Sequence, residues 1–209
     1  VGPGSDYTTI QAAVDAASAG DTILIGPGLW SGAGNVNVTI NVPLTIVGMG
    51  NGTDPSTSTI ISGGGFIINL ATDAAADMVA FSNLAITNAS GNGISAQDQQ
   101  ILGTLSLTDV RVEDSTSHGL IASGRKQSTA YDQAGVQHVQ ITDSSFVDNG
   151  QLSQNVANIM LFEFDGDATI TNVDASNSVT GANSAAFGVQ IAGYDGPLYS
   201  QKPLLPDPQ

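Results

Sequence analysis

Apolar and polar residues along this chain alternate in short bursts. Val36, Val38 and Ile40, and later Val110 and Val112, put an apolar side chain at every second position. That is the period of a strand with one buried face. "DTILIGPG", "VNVTI", "PLTIVG", "STIISGG" and "FIINL" each predict a short strand closed by Gly, Pro, Asn or Ser, and the same texture runs on to "FGVQIAG". One segment has a different period. In "TTIQAAVDAASAGD", Ile10 and Val14 fall at i and i+4 with Ala13 and Ala17 beside them, which predicts a helix. Thr8 with Gln11 three residues on predicts a capping box, and Gly20 predicts the stop. So short and alanine-rich a helix is marginal alone and must lie on an apolar surface.

The later strands repeat. "FSNLAITN" at Phe81 returns as "LTDVRVED" at Leu107, "ITDSSFVD" at Ile141 and "ITNVDASN" at Ile170. Each copy carries Asn or Asp twice: Asn83, Asp109, Asp143 and Asn172, then Asn88, Asp114, Asp148 and Asn177. A second marker follows at Gly93, Gly119, Asn158 and Gly188. Fixed strand-and-turn modules joined by loops of unequal length predict a solenoid of stacked parallel coils, whereas hairpins would show two-residue Asn-Gly loops. Phe81, Leu107, Ile141 and Ile170 are then expected in one inward stack. The Asn and Asp positions are expected at corners, where Asn tolerates left-handed backbone and its amide can bond along the ladder. Asp109 beside Asp143 places like charges in register. Solvated turn aspartates are the ordinary reading of that pair; calcium is the cofactor the sequence leaves open.

Composition narrows the partners. The 209 residues carry 19 acids against 4 bases, a net charge of −15. Nucleic acid and anionic membrane surfaces are poor partners for such a chain, because both need clustered Lys and Arg. No stretch approaches the length of apolar chain a membrane span needs. Cysteine is absent, which excludes disulfides and thiolate metal sites. The apolar share is 41 % with only 5 % aromatic, so the core must be built from Val, Ile, Leu and Ala. "NVT" at Asn37, "NGT" at Asn51 and "NAS" at Asn88 fit the glycosylation acceptor pattern, which arises by chance in a chain rich in Asn and Thr.

The first 65 residues resemble the opening of right-handed parallel β-helix proteins of the pectate-lyase-like superfamily. "DYTTIQAAVDAASAGDTILIGPGLW", "VNVTINVPLTIVGMG" and "STIISGG" are similar to the N-terminal cap and first coils of pectinesterases. The resemblance implies an all-β fold: a single-stranded right-handed parallel β-helix with a short N-terminal capping helix. It does not extend to pectinesterase chemistry. "MLFEFDGD" has Leu161 where that family's strand carries its Asp, and no Arg follows. The histidine-containing motif of alginate epimerases is also missing.

Aligning the coils on Gly93, Gly119, Asn158 and Gly188 gathers the polar residues that follow them. Asp98, Glu163, Arg125, Tyr194, Lys126, Asp165 and Asp195 fall along one edge. If "EFDGD" is an extended strand, Glu163, Asp165 and Asp167 share a face. The functional reading is a lyase or hydrolase acting on an acidic polysaccharide. In it Glu163, Asp165, Arg125 and Lys126 are catalytic, and Asp98, Tyr131, Asp132, Tyr194 and Asp195 contact substrate. Asp109, Asp143 and Asp167 would hold calcium. The plainer reading is a set of exposed ion pairs, each contributing about 0–1 kcal/mol. His118 and His138 lack ligand spacing and are expected to be ordinary strand or surface histidines. Trp30 could stack on a sugar, but is expected to cover the cap.

The organisation expected is one domain over residues 1–209: cap and first coils over 1–65, repeat coils over 66–192, and a Pro-rich tail over 193–209 leading into a longer chain with further domains. The function expected is a non-catalytic module of a secreted or cell-surface protein, without membrane insertion or nucleic-acid binding, presenting a rigid face to extracellular polysaccharide. The alternatives are the carbohydrate-active enzyme above and a purely structural stalk. A flat, hydroxyl-rich face would favour binding or a stalk; a groove with converging carboxylates and a base would favour the enzyme.

Overall fold

The alternating segments do form strands, and they pair in parallel. The structure, a computed structural model, describes residues 1–97, 101–123, 135–150, 156–164, 166–177 and 187–192. It has one helix, α1 (Ile10–Ala16), followed by β1 (Thr22–Leu24), β2 (Gly28–Trp30), β3 (Val38–Ile40), β4 (Thr45–Val47), β5 (Thr59–Ser62), β6 (Phe66–Ile68) and β7 (Ala74–Thr87). Then come β8 (Ile94–Ala96), β9 (Leu102–Glu113), β10 (Leu120–Ser123), β11 (Val136–Thr142), β12 (Ser145–Val147), β13 (Ala157–Phe162), β14 (Asp167–Thr171) and β15 (Phe187–Ala192). The fold is therefore mostly β, in parallel sheets, with one short helix. No helix among the described residues is long and apolar enough to cross a membrane.

Two sheets share the strands. The first runs β1-β4-β7-β9-β11-β14, with β2, β5 and β12 paired alongside; the second runs β15-β13-β10-β8-β6-β3. The chain passes from the first to the second and back, and each new strand pairs parallel to the previous one in its sheet. Register follows the sequence repeat. Ile23, Ile46, Phe81, Leu107, Ile141 and Ile170 are successive partners across the first sheet. In the second, Phe66, Ile94, Leu120, Ile159 and Val189 line up. The expected inward stack is thus present. Most of it is fully buried, and each such large apolar side chain contributes about 1.5–3 kcal/mol. The two sheets meet through it, with Phe66 and Phe81 packing at 4.9 Å between ring centroids.

The helix covers the first strands, as its apolar face requires. Ile10, Ala13 and Val14 are buried in the same core cluster as Ile23 and Ile40. Its ends differ from expectation. Thr9, not Thr8, is the cap, its hydroxyl accepting from Ala12 N. Gln11 makes no capping box, because its amide is engaged elsewhere: it accepts from Thr39 N at 2.8 Å and donates to Thr39 O at 3.1 Å. The helix pins itself to β3 with that pair. It ends at Ala16 with an extended Ala17 as C-cap, so Gly20 plays no part in stopping it. Trp30 lies in the core, partnered with Ile61 across β2 and β5, and its indole N–H donates to Gly26 O at 3.0 Å.

Candidate binding face

The outer side of the first sheet is set by the same register. Alternate residues of a strand face opposite ways, so the positions between the core residues look outward. Thr45, Ala80, Ser106, Gln140 and Thr169 form one outward row, and Val47, Ser82, Thr108, Thr142 and Thr171 the next. A third row holds Met78, Thr104, His138 and Asp167. Neighbouring strands lie about 4.8 Å apart, so these rows make a regular array of mostly polar side chains, interrupted by Val47, Met78 and Ala80. The Ser82, Ser106, Thr108, Thr142, Thr169 and Thr171 hydroxyls form no hydrogen bond to other described residues. They are open to solvent or a ligand.

A rim of Asn and Asp borders this array. Asn83, Asp109, Asp143 and Asn172 directly follow Ser82, Thr108, Thr142 and Thr171, and all four have left-handed backbone, φ between 50° and 54°. Each turns the chain off the sheet. L-residues with a branched or bulky Cβ resist that geometry, whereas Asn and Asp tolerate it. All four are exposed. The Asn172 amide donates to the Asp143 carboxylate at 2.6 Å, so the ladder bond foreseen for this column exists between those two. The second set behaves alike: Asn88, Asp114 and Asp148 have φ of 53°, 56° and 55°. Asp114 has its carboxyl pushed above the ordinary range by partial burial, and further by the nearby Glu113 and Asp148 charges.

The other candidate residues are placed unevenly. Gly93, Gly119, Asn158 and Gly188 do align, since their successors Ile94, Leu120, Ile159 and Val189 are partners. Of the edge residues registered on them, Asp98, Arg125, Lys126, Asp165, Tyr194 and Asp195 lie outside the described residues, as do the other two substrate candidates, Tyr131 and Asp132. Glu163 is described, with φ 47°. That left-handed residue ends β13 in the second sheet, whereas Asp167 opens β14 in the first. The extended strand expected to align Glu163 with Asp167 is therefore absent: the chain turns between them. Asp167 is paired in register with His138, and its carboxylate lies 3.4 Å from the imidazole. Asp143 instead follows Thr142, the partner of Thr171 at the other end of β14, so Asp167 does not join Asp109 and Asp143. No group of three His, Asp or Glu positioned for a metal occurs among the described residues.

Two arrangements escaped the sequence reading. Asn149 and Asn158 are buried and bonded together inside the corner between the sheets. Asn149 also accepts from Ser115 N and donates to Val112 O, while Asn158 donates to Ser176 O and Asn177 Oδ1. His118 adds to this corner by accepting the Ala157 N–H at 3.0 Å, and burial pushes its pKa below the ordinary imidazole value. On the adjoining strip Arg111 reaches back to the loop after β4. It donates to Asn51 O at 2.7 Å and Gly52 O at 2.8 Å, and pairs with Glu113. That clamp holds the loop near Ile60 and Ala85, which are buried though they share Arg111's outward row. It links residues some sixty positions apart, and no local pattern signals it.

Near the helix, a cavity of about 390 Å³ is lined by Pro3, Pro27, Leu29, Trp30, Ser31 and Asn35 among others. Its best donors are already engaged. Trp30 Nε1 is held by Gly26 O, and the Asn35 amide bonds Ser31 O and Ile10 N.

No family model, curated protein or solved structure matches this chain.

Proposed function

We propose that the chain winds as a right-handed parallel β-helix of the pectate-lyase-like kind. In this reading it is a non-catalytic module of a secreted or cell-surface protein that presents its hydroxyl-bearing face to extracellular polysaccharide. The winding is supported by the order of the strands: every connection from one sheet returns to it one strand further on, always parallel. Parallel crossovers of that kind are right-handed in nearly all proteins. The observation that carries the binding role is the array of Ser82, Ser106, Thr108, Thr142, Thr169 and Thr171 hydroxyls, ranked across four successive strands and uncommitted within the described residues. A rigid lattice of donors and acceptors suits an extended glycan, whose own hydroxyls repeat along its length. It loses little entropy on binding because the sheet is already ordered.

The test is a panel of immobilised polysaccharides, scored for retention and, in solution, for unsaturated products and new reducing ends. Retention without turnover is expected, weakened in Thr108→Val and Thr142→Val, which keep side-chain shape and remove the hydroxyl. Turnover that disappears in Glu163→Gln would replace the binding role with an enzymatic one. Retention on no polymer would leave the structural stalk.

A further inference from the structure

We infer that the glycan taken by this face carries free amino groups: an amino-sugar polymer in its cationic form. This rests on the binding-face reading above and names its ligand class. Three observations lead to it. First, the described rows of the face hold no Phe, Tyr or Trp, the large rings on which sugars stack best. Second, bonds from exposed hydroxyls to a neutral sugar replace equally good bonds to water, so each adds little net affinity. Something else must anchor the chain. Third, the charge around the array has one sign. Asp109 and Asp143 stand exposed on the rim directly after Thr108 and Thr142, and Asp167 stands in the third row beside His138. Arg111 is the single Lys or Arg among the described residues, and it is committed to Glu113 and the carbonyls of Asn51 and Gly52. The protein as a whole carries −15.

These facts sort the possible ligands. A polyuronate brings a carboxylate on each sugar toward a carboxylate rim and is repelled. A neutral glucan meets neither repulsion nor anchor. A polymer bearing ammonium groups finds acids on adjacent strands, about 4.8 Å apart, with hydroxyls beside them to accept and donate around each ring. Since the carboxylates are exposed, the attraction is screened by salt.

The experiment compares retention of the protein on chitosan, cellulose and polygalacturonate at low and high salt. It uses the wild type, the pair Asp109→Asn/Asp143→Asn, and a control pair Asp6→Asn/Asp15→Asn that removes the same charge from the N-terminal helix region. Asn already occupies two positions of the rim column, so the first pair is expected to fold normally. The expected result is retention on chitosan alone, lost at high salt, and weakened about fivefold by the rim pair but not by the control pair. Equal weakening by both pairs would mean general adsorption of a polycation to an acidic protein and would overturn the inference. Salt-insensitive retention on cellulose, lost in Thr142→Val, would overturn the amino-sugar assignment while leaving the binding face standing. Retention on none of the three would overturn both.

Discussion

The side-chain amide of Asn149 donates to Asn158 Oδ1 at 2.9 Å in a corner where both residues are almost wholly buried. The same Asn158 oxygen accepts the Asn149 backbone N–H at 3.0 Å. Asn149 thus makes four hydrogen bonds to three groups, counting Ser115 N and Val112 O. Replacing it with Leu keeps the volume but strands Ser115 N and Val112 O without water. Asn149→Leu is expected to cost about 3 kcal/mol, since each stranded buried group costs about 1–3 kcal/mol. Urea titration of the variant against wild type gives the number; a loss below one kilocalorie would mean that the corner opens to solvent.

Close stacking makes a second expectation. A Cβ at Gly119 would lie 2.6 Å from Asn158 O and 2.7 Å from Asn149 Nδ2. Neither neighbour can retreat, one being backbone and the other fixed by its own bonds. Gly119→Ala should therefore destabilise by about 1–3 kcal/mol. Gly91→Ala is the matched control, because a Cβ there meets nothing within 4 Å. Thermal melts of the two should separate clearly, with the control near wild type.

Acid titration should distinguish the two perturbed groups. Partial burial, with Glu113 and Asp148 adding to it, raises the Asp114 pKa on folding. The folded state then holds that proton more tightly than the unfolded chain, and the gain fades as pH rises through the folded value. At neutral pH the charged Asp114 is a net burden. Asp114→Asn should raise the melting temperature at pH 7, and the advantage should shrink to nothing below the ordinary carboxylate range. An equal gain at every pH would show that charge is not its source.

His118 carries the opposite sign. Burial lowers its pKa on folding, and its Nδ1 accepts the Ala157 N–H. A depressed folded value means the unfolded chain binds the proton first. Stability is complete above the ordinary imidazole value of about 6.5 and is lost as pH falls through the folded one. His118→Gln, which keeps an acceptor for Ala157 N, should flatten the fall in melting temperature over that window. If the slope persists in the variant, another group is responsible.

Much of the fold was legible because the repeat wrote it several times. The column from Phe81 through Leu107 and Ile141 to Ile170, and the alignment of Gly93 with Gly119, Asn158 and Gly188, both follow from spacing. The helix ends were not legible, because two adjacent threonines compete for the cap and a distant strand claims Gln11. The acidic segment misled for a local reason. Alternating carboxylates suggested a strand, but left-handed Glu163 turns the chain there. Arg111 gave no signal at all, since its partners are backbone carbonyls from a remote loop.

The corner column has an implication for how such a surface changes over time. Asn83, Asp109, Asp143 and Asn172 occupy the same backbone geometry within a few degrees, although two are neutral and two are anionic. Amide and carboxylate residues alike tolerate the left-handed corner, so the two are interchangeable there in backbone terms. The electrical character of that border can therefore change site by site while the left-handed corner stays the same.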